Sequence, residues 1–205
     1  MNKMYKILKF IKKILRNEKS KKDSAKNSDV IPIILSNIRK DIVTVLDIGC
    51  GKLWDNNPRG EDILFSCFDN PKYKITGIDI FPECIDYRKR YGPRGDYLVM
   101  DVRSLQDLPN KFDLIIAHHV LEHMDKKESR EILKEIEKKA KKQIIIGAPI
   151  GFTNTEYAVS LHNNPFELHR CGWKPEEFKQ RGYSIHIIKN VFLAFKNVNN
   201  FKNDR

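Results

Sequence analysis

Cysteine is scarce in this 205-residue chain: four residues, at 50, 67, 84 and 171, with no C-x-x-C spacing. That pattern excludes a disulfide framework and a cysteine zinc site, and reduced thiols in a cytoplasmic protein are expected. Long apolar runs are also missing. None reaches the roughly 18 residues that a membrane-spanning helix needs. With 10 glycines and 9 prolines there is no collagen-like or low-complexity bias. Acids are outnumbered, 27 against 38 Lys and Arg, which leaves a net charge of +11. What is present is a 40% apolar, 10% aromatic composition, too apolar for a disordered chain. The length suits one domain with a sizeable core.

The excess charge is local. Residues 1–26 carry ten Lys or Arg and only two acids, Glu18 and Asp23, whereas the other 179 residues carry 28 bases and 25 acids. Met4, Ile7, Leu8, Ile11, Ile14 and Leu15 recur at helical spacing, with Lys6, Lys9, Lys12, Lys13 and Arg16 on the other side. A basic amphipathic helix of this kind can enter a lipid interface while its lysines meet anionic headgroups. The alternatives are packing on its own domain or on a partner, with the lysines solvated, or an electrostatic arm for nucleic acid. A signal peptide is not expected, because lysines interrupt every apolar stretch and no small-residue cleavage site follows. Residues 17–29 have the composition of a polar linker. The domain division is therefore 1–28 for helix and linker and 29–205 for the folded body.

In that body, residues 30–40 predict a short helix. Apolar, β-branched runs then alternate with amphipathic helices. Strands are predicted at Val43–Asp47, Ile75–Asp79, Tyr97–Met100, Phe112–Ala117 and Gln143–Ala148. The continuous apolar character of Phe112–Ala117 suits burial on both faces. Helices are predicted near 60–68, 82–90 and 126–141, the last with Ile132, Leu133, Ile136 and Ala140 on one face. A further helix starts at Glu176–Gln180 and is ended by Gly182. Ser184–Ile188 and Val191–Phe195 make a terminal hairpin turned at Lys189 and Asn190. The fold class is α/β, a doubly wound, mostly parallel sheet with an antiparallel addition.

In such sheets ligands bind beyond the carboxyl ends of the strands. Four strand ends carry chemistry in succession. Leu46-Asp47-Ile48-Gly49-Cys50-Gly51 places two alternating glycines where backbone can approach a ligand. Gly77-Ile78-Asp79-Ile80 ends in an acid able to accept from both hydroxyls of a ribose. Val99-Met100-Asp101-Val102 supplies another strand-end acid. Phe112-Asp113-Leu114-Ile115-Ile116-Ala117-His118-His119-Val120-Leu121-Glu122-His123 is the fourth. Each is weak alone; the four in order are specific.

V-L-D-I-G-C-G resembles the first motif of class I S-adenosylmethionine-dependent methyltransferases, and F-D-L-I-I-A-H-H-V-L-E-H resembles their fourth-strand motif. The likeness, to the small methyltransferase-11-like domains, covers residues 42–150 well and the C-terminal third loosely. It implies a Rossmann-like seven-stranded sheet of order 3-2-1-4-5-7-6. It also implies S-adenosylmethionine as cofactor, with Gly49 and Gly51 at its methionine end and Asp47 beneath them. By the same resemblance Asp79 holds the ribose, Ile80 packs on the adenine, Asp101 and Val102 meet the adenine edge, and His118 sits at the sulfonium side. One departure is plain: the family's third glycine is replaced by Leu53, followed by Trp54, so this loop takes its own path. A nicotinamide-binding fingerprint would need glycine at 54 and an acid about 20 residues after the turn; Asp79 lies 28 beyond Gly51.

The acceptor side is less determined. His119 and His123 flank Glu122 at a spacing seen in metal pairs, but no third ligand stands at a recognisable spacing, so no metal is expected. His123 reads as a structural hydrogen-bonding residue. His119 is the expected base, since a hydroxyl acceptor can need one and an imidazole pKa near 6.5 suits that work. His162 or His169, an acidic residue, and catalysis by positioning with no base are the alternatives. The long segment Gly151–Gly172 follows the fifth strand and predicts an ordered lid. Asn163, Asn164, His162, Glu167, His169 and Arg170 are its candidate acceptor contacts, and a capping loop that satisfies its own backbone is the equal alternative. His-Arg-Cys-Gly-Trp and then K-P-E-E-F resemble the run before the last helix in several small bacterial and archaeal methyltransferases. Asn-Pro-Pro-Tyr and Pro-Cys motifs of nucleobase methylation are absent after the fourth strand. The expected activity is transfer of a methyl group to a small-molecule, glycan or lipid-linked acceptor, at oxygen, by a cytoplasmic transferase peripheral to the inner face of the membrane. A non-catalytic cofactor-binding or partner-binding module and an RNA methyltransferase are the alternatives.

Overall fold

The computed structural model describes residues 25–52, 62–156, 159–160 and 163–198. The amphipathic segment at 1–22, the Leu53-Trp54 departure and His162 lie outside the described residues. Among the described residues no helix is long and apolar enough to cross a membrane.

Seven strands form one sheet: β1 (Thr44–Ile48), β2 (Lys74–Asp79), β3 (Gly95–Val99), β4 (Phe112–His118), β5 (Ala140–Pro149), β6 (Ser184–Ile188) and β7 (Val191–Asn197). Their order is β3-β2-β1-β4-β5-β7-β6, as the family resemblance implies. The first five run parallel, with Leu46 beside Thr76 and Ile115, and Ile115 beside Ile144. β7 inserts antiparallel between β5 and β6, closing the predicted hairpin at Lys189, whose φ is +54°.

The described helices are α1 (Asn27–Asn37), α2 (Ile63–Phe68), α3 (Pro82–Tyr91), α4 (Lys126–Lys139) and α5 (Pro175–Lys179). α1 begins three residues before the predicted 30–40 helix. Two cores lie on opposite faces of the sheet. α1, α2 and α3 deliver Ile34, Phe68 and Ile85 to one, and α4 and α5 deliver Leu133, Ile136 and Phe178 to the other. Alternate residues of β4 enter opposite cores, Leu114 and Ile116 on one side, Ile115 and Ala117 on the other. This is why its apolar run is unbroken.

α4 ends at Lys139, and Ala140, predicted on its apolar face, instead opens β5 opposite Phe112. Its backbone is extended, with φ −76° and ψ 134°, and it is buried. A small apolar residue satisfies a helix face and a buried strand equally, so sequence periodicity does not separate the two. All four cysteines are buried and unbridged.

Candidate active site

The carboxyl ends of β1, β2, β3 and β4 converge on a cleft of about 460 Å³. Gly49 and Gly51 line it with φ of +66° and +59°, a backbone region that glycine adopts without strain. Gly49 is constrained twice, because a Cβ there would stand 2.6 Å from Cγ2 of Val120. The backbone N–H groups of Gly49 and Cys50 both donate to the carbonyl oxygen of Ile78, at 2.8 and 3.0 Å. The turn is thereby stitched to β2.

Asp79 completes the stitch. One carboxylate oxygen accepts from the Gly51 N–H at 2.9 Å and the other from the Phe81 N–H at 2.9 Å. Each keeps a lone pair, and the side chain lines the cleft. Burial raises its pKa against these two hydrogen bonds. Ile80, Met100, Asp101 and Val102 continue the wall. Asp101 caps the 3-10 turn Val102–Asp107 by accepting from the Arg103 N–H, and also pairs with the Arg103 guanidinium at 2.9 Å. Asp47 does not line the cleft. It is buried behind the glycine turn, where desolvation pushes its pKa up to about 7.

Two residues that sequence reasoning passed over hold this turn from behind. Arg88 of α3 donates to the Cys50 carbonyl oxygen and pairs with Asp62, the N-cap of α2. Both side chains are almost fully buried. Arg88 falls in the last turn of α3 among other bases, where a solvated role is the ordinary expectation.

At the end of β4, His118 packs its ring on Gly147, where a Cβ would come within 2.2 Å of the imidazole Cδ2. Its Nε2 is buried and has no hydrogen-bond partner. Burial, with the neighbouring His119, holds its pKa well below the usual imidazole value, so His118 is neutral. His119 follows with φ +56°. Its N–H donates to the Gly147 carbonyl at 2.9 Å, and its Nδ1 lies 2.8 Å from Oε1 of Glu122. His119 is partly exposed in the cleft and Glu122 is 1% exposed. Although burial opposes it, the hydrogen bond and charge of His119 hold the Glu122 carboxyl below its usual range. The i,i+3 spacing of His119 and Glu122 was the available sequence signal for this pair.

The segment after β5 forms the opposite wall. Thr155 Oγ1 accepts from the His169 N–H and donates to the Glu167 carbonyl, and the Arg170 and Cys171 N–H groups both donate to the Glu122 carbonyl. Asn164, Glu167, His169 and Arg170 line the cleft; Asn163 does not. Asn164 also caps its own 3-10 turn at Pro165–Glu167. His123 directs Nδ1 at the Leu168 carbonyl, 3.3 Å away, and stacks edge-on with His169. Burial lowers the His169 pKa to about 4. The fold thus brings Glu122, His123 and His169 together, one possible ligand atom from each lying within 4.8 Å of the others.

Residues 45–143 match the family model of the methyltransferase domain. A methyltransferase from Archaeoglobus fulgidus, described as S-adenosylmethionine-dependent, superposes with a TM-score of 0.60 at 19% identity, covering 85% of this chain and 95% of that one. Magnesium protoporphyrin IX methyltransferase from Synechocystis, solved with bound S-adenosylhomocysteine, gives 0.57 at 16% identity over 84% and 82%. An N-methyltransferase from Bradyrhizobium japonicum gives 0.54 at 15% identity over 83% and 93%. Comparison with curated protein sequences gives no match. Domain match and strand order together assign residues 45–143 to a class I S-adenosylmethionine-dependent methyltransferase domain. The residues present fit that cofactor: two left-handed glycines, a cleft-facing carboxylate with open lone pairs, and an orphaned imidazole nitrogen.

Proposed function

We propose that the chain methylates an oxygen of a small-molecule, glycan or lipid-linked acceptor, with His119 as the base. The observation that carries this reading is the His119–Glu122 pair at the cleft, with Nδ1 engaged by a buried carboxylate at 2.8 Å. The Glu122 carboxylate accepts the Nδ1 hydrogen, orients the ring and leaves Nε2 free to take a hydroxyl proton. It also stabilises the imidazolium that results. When bound, S-adenosylmethionine supplies an electrophilic methyl group. Asp79 would hold its ribose, Ile80, Asp101 and Val102 its adenine, and Gly49 and Gly51 its methionine end, above Asp47. His118, neutral and buried, shapes the floor at the sulfonium side. In-line displacement depends chiefly on alignment, which the rigid strand ends provide.

Turnover can be read as S-adenosylhomocysteine release with a panel of hydroxyl-bearing glycolipids and small alcohols. His119→Gln should lower kcat by about 10²–10⁴-fold, with S-adenosylhomocysteine affinity unchanged. Unchanged turnover would remove His119 as base.

Residues 1–22 are assigned to the anionic inner face of the cytoplasmic membrane. The support is the sequence pattern of apolar and lysine residues. Full-length protein should co-sediment with phosphatidylglycerol vesicles, and a chain starting at residue 23 should not. Equal sedimentation of both would overturn the assignment.

A further inference from the structure

Glu122 is an unusual buried acid. It is 1% exposed, and its Oε2 has no hydrogen-bond partner. Among the described residues the groups facing its carboxylate at ion-pair distance are imidazoles, His119 at 2.8 Å and His169 at 4.0 Å, with no lysine or arginine in an ion pair. A buried carboxylate without a cation is costly, so such groups are normally paired or bound to metal.

The surrounding donors match a metal site better than a closed hydrogen-bond network. Glu122, His123 and His169 each place one ligand atom within 4.8 Å of the others. Donors at 2.0–2.2 Å from one ion stand roughly 3–4 Å apart, so a closing movement of about 1 Å completes the set. His123 offers Nδ1–H to the Leu168 carbonyl, which leaves the lone pair on Nε2 for a ligand. Metal-bound histidines are commonly held in this way, by a carbonyl on the second nitrogen. His123 and His169 also line the cleft, so an ion there keeps open positions for water or acceptor. We propose that Glu122, His123 and His169 bind a divalent first-row transition-metal ion at the acceptor end of the cleft.

Two imidazoles and one carboxylate select ions such as zinc, manganese or cobalt over calcium. Three protein ligands with an open face describe a site that acts on a substrate oxygen rather than a structural staple. The triad was hidden because His169 stands 46 residues beyond His123, on a different element. The site shares Glu122 with the His119 pair: Oε1 faces His119 and the unpartnered Oε2 is the oxygen left for the ion.

Full-length protein, stripped with a chelator and dialysed, is titrated with Co²⁺ and followed by its visible absorption and by calorimetry. One ion per chain is expected at micromolar affinity, displaced by Zn²⁺. His169→Gln and Glu122→Gln should each weaken binding at least tenfold. His186→Gln, outside the cluster, should leave it unchanged. S-adenosylhomocysteine binding and thermal melting of each variant report its folding. Should a variant fail to fold, broadening of the His123 and His169 ring resonances of the wild-type protein by Mn²⁺ decides the question. No stoichiometric Co²⁺ binding, or binding that survives both substitutions in folded protein, would overturn the proposal. Neither result depends on turnover, so failure of the metal site and failure of the proposed reaction remain distinguishable.

Discussion

Arg88 donates its Nε hydrogen to the carbonyl oxygen of Cys50 at 2.8 Å, so helix α3 grips the glycine turn from behind the cleft. A second guanidinium nitrogen reaches the same oxygen, and a third pairs with Asp62. Three donors in one plane fix the turn at Gly49 and Gly51 more tightly than a single ammonium could.

Asp62→Ala should therefore leave a buried guanidinium without its anion. Urea unfolding is expected to show a loss of about 3–5 kcal/mol. Arg88→Lys should not restore the wild-type midpoint, because lysine cannot serve both partners. S-adenosylhomocysteine affinity, measured by calorimetry on folded Arg88→Lys protein, should fall with the loosened turn. Unchanged affinity would separate the pair from the site.

Gly49→Ala meets two obstacles, a φ of +66° and Val120 Cγ2 at 2.6 Å. Backbone strain alone is worth about 1–3 kcal/mol. Adding Val120→Ala should relieve the contact and not the strain, so the double variant is expected to recover only part of the lost stability and cofactor affinity. Gly51→Ala, whose Cβ would meet nothing closer than 3.7 Å, should show the strain alone.

Asp79 offers the carboxylate assigned to the ribose. A hydrogen bond to a charged group contributes about 1.5–3 kcal/mol, so Asp79→Ala should weaken S-adenosylhomocysteine binding by roughly 10–150-fold. Part of that loss comes from the freed Gly51 N–H, which Asp79→Asn can still satisfy through its side-chain oxygen. Asp79→Asn should fall between alanine and wild type. Full affinity in Asp79→Ala would count against the ribose assignment.

Asp47 predicts a pH signature. Its folded pKa of about 7 lies above the unfolded value of 3.8, because burial penalises the anion. Between those values the folded state holds a proton that the unfolded state has lost. Stability from this group is present below pH 4 and drains away as pH rises to about 7, after which it is constant. Asp47→Asn cannot lose that proton. Its stability relative to wild type should rise across this window, by at most about 4 kcal/mol, and plateau above it. Urea midpoints at pH 4 and pH 8 measure the change; a flat difference would mean that Asp47 ionises normally in the folded protein.

Much of this protein was legible from the order of its residues. Alternating β-branched runs and amphipathic helices determined the parallel sheet, since local periodicity reports which face is buried. The strand-end residues Gly49, Gly51, Asp79, Asp101, His118 and His119 line one cleft, and each could be singled out because it is adjacent in sequence to the strand that positions it. Only the tertiary structure decided the rest. It buried Asp47 without a place in the cleft lining and moved Ala140 from helix to strand. It joined Arg88 to Cys50 across 38 residues and His169 to Glu122 across 47. The physical reason is common to these cases: burial patterns record how apolar a position is, whereas the partner of a buried charge is chosen by the packing of distant elements.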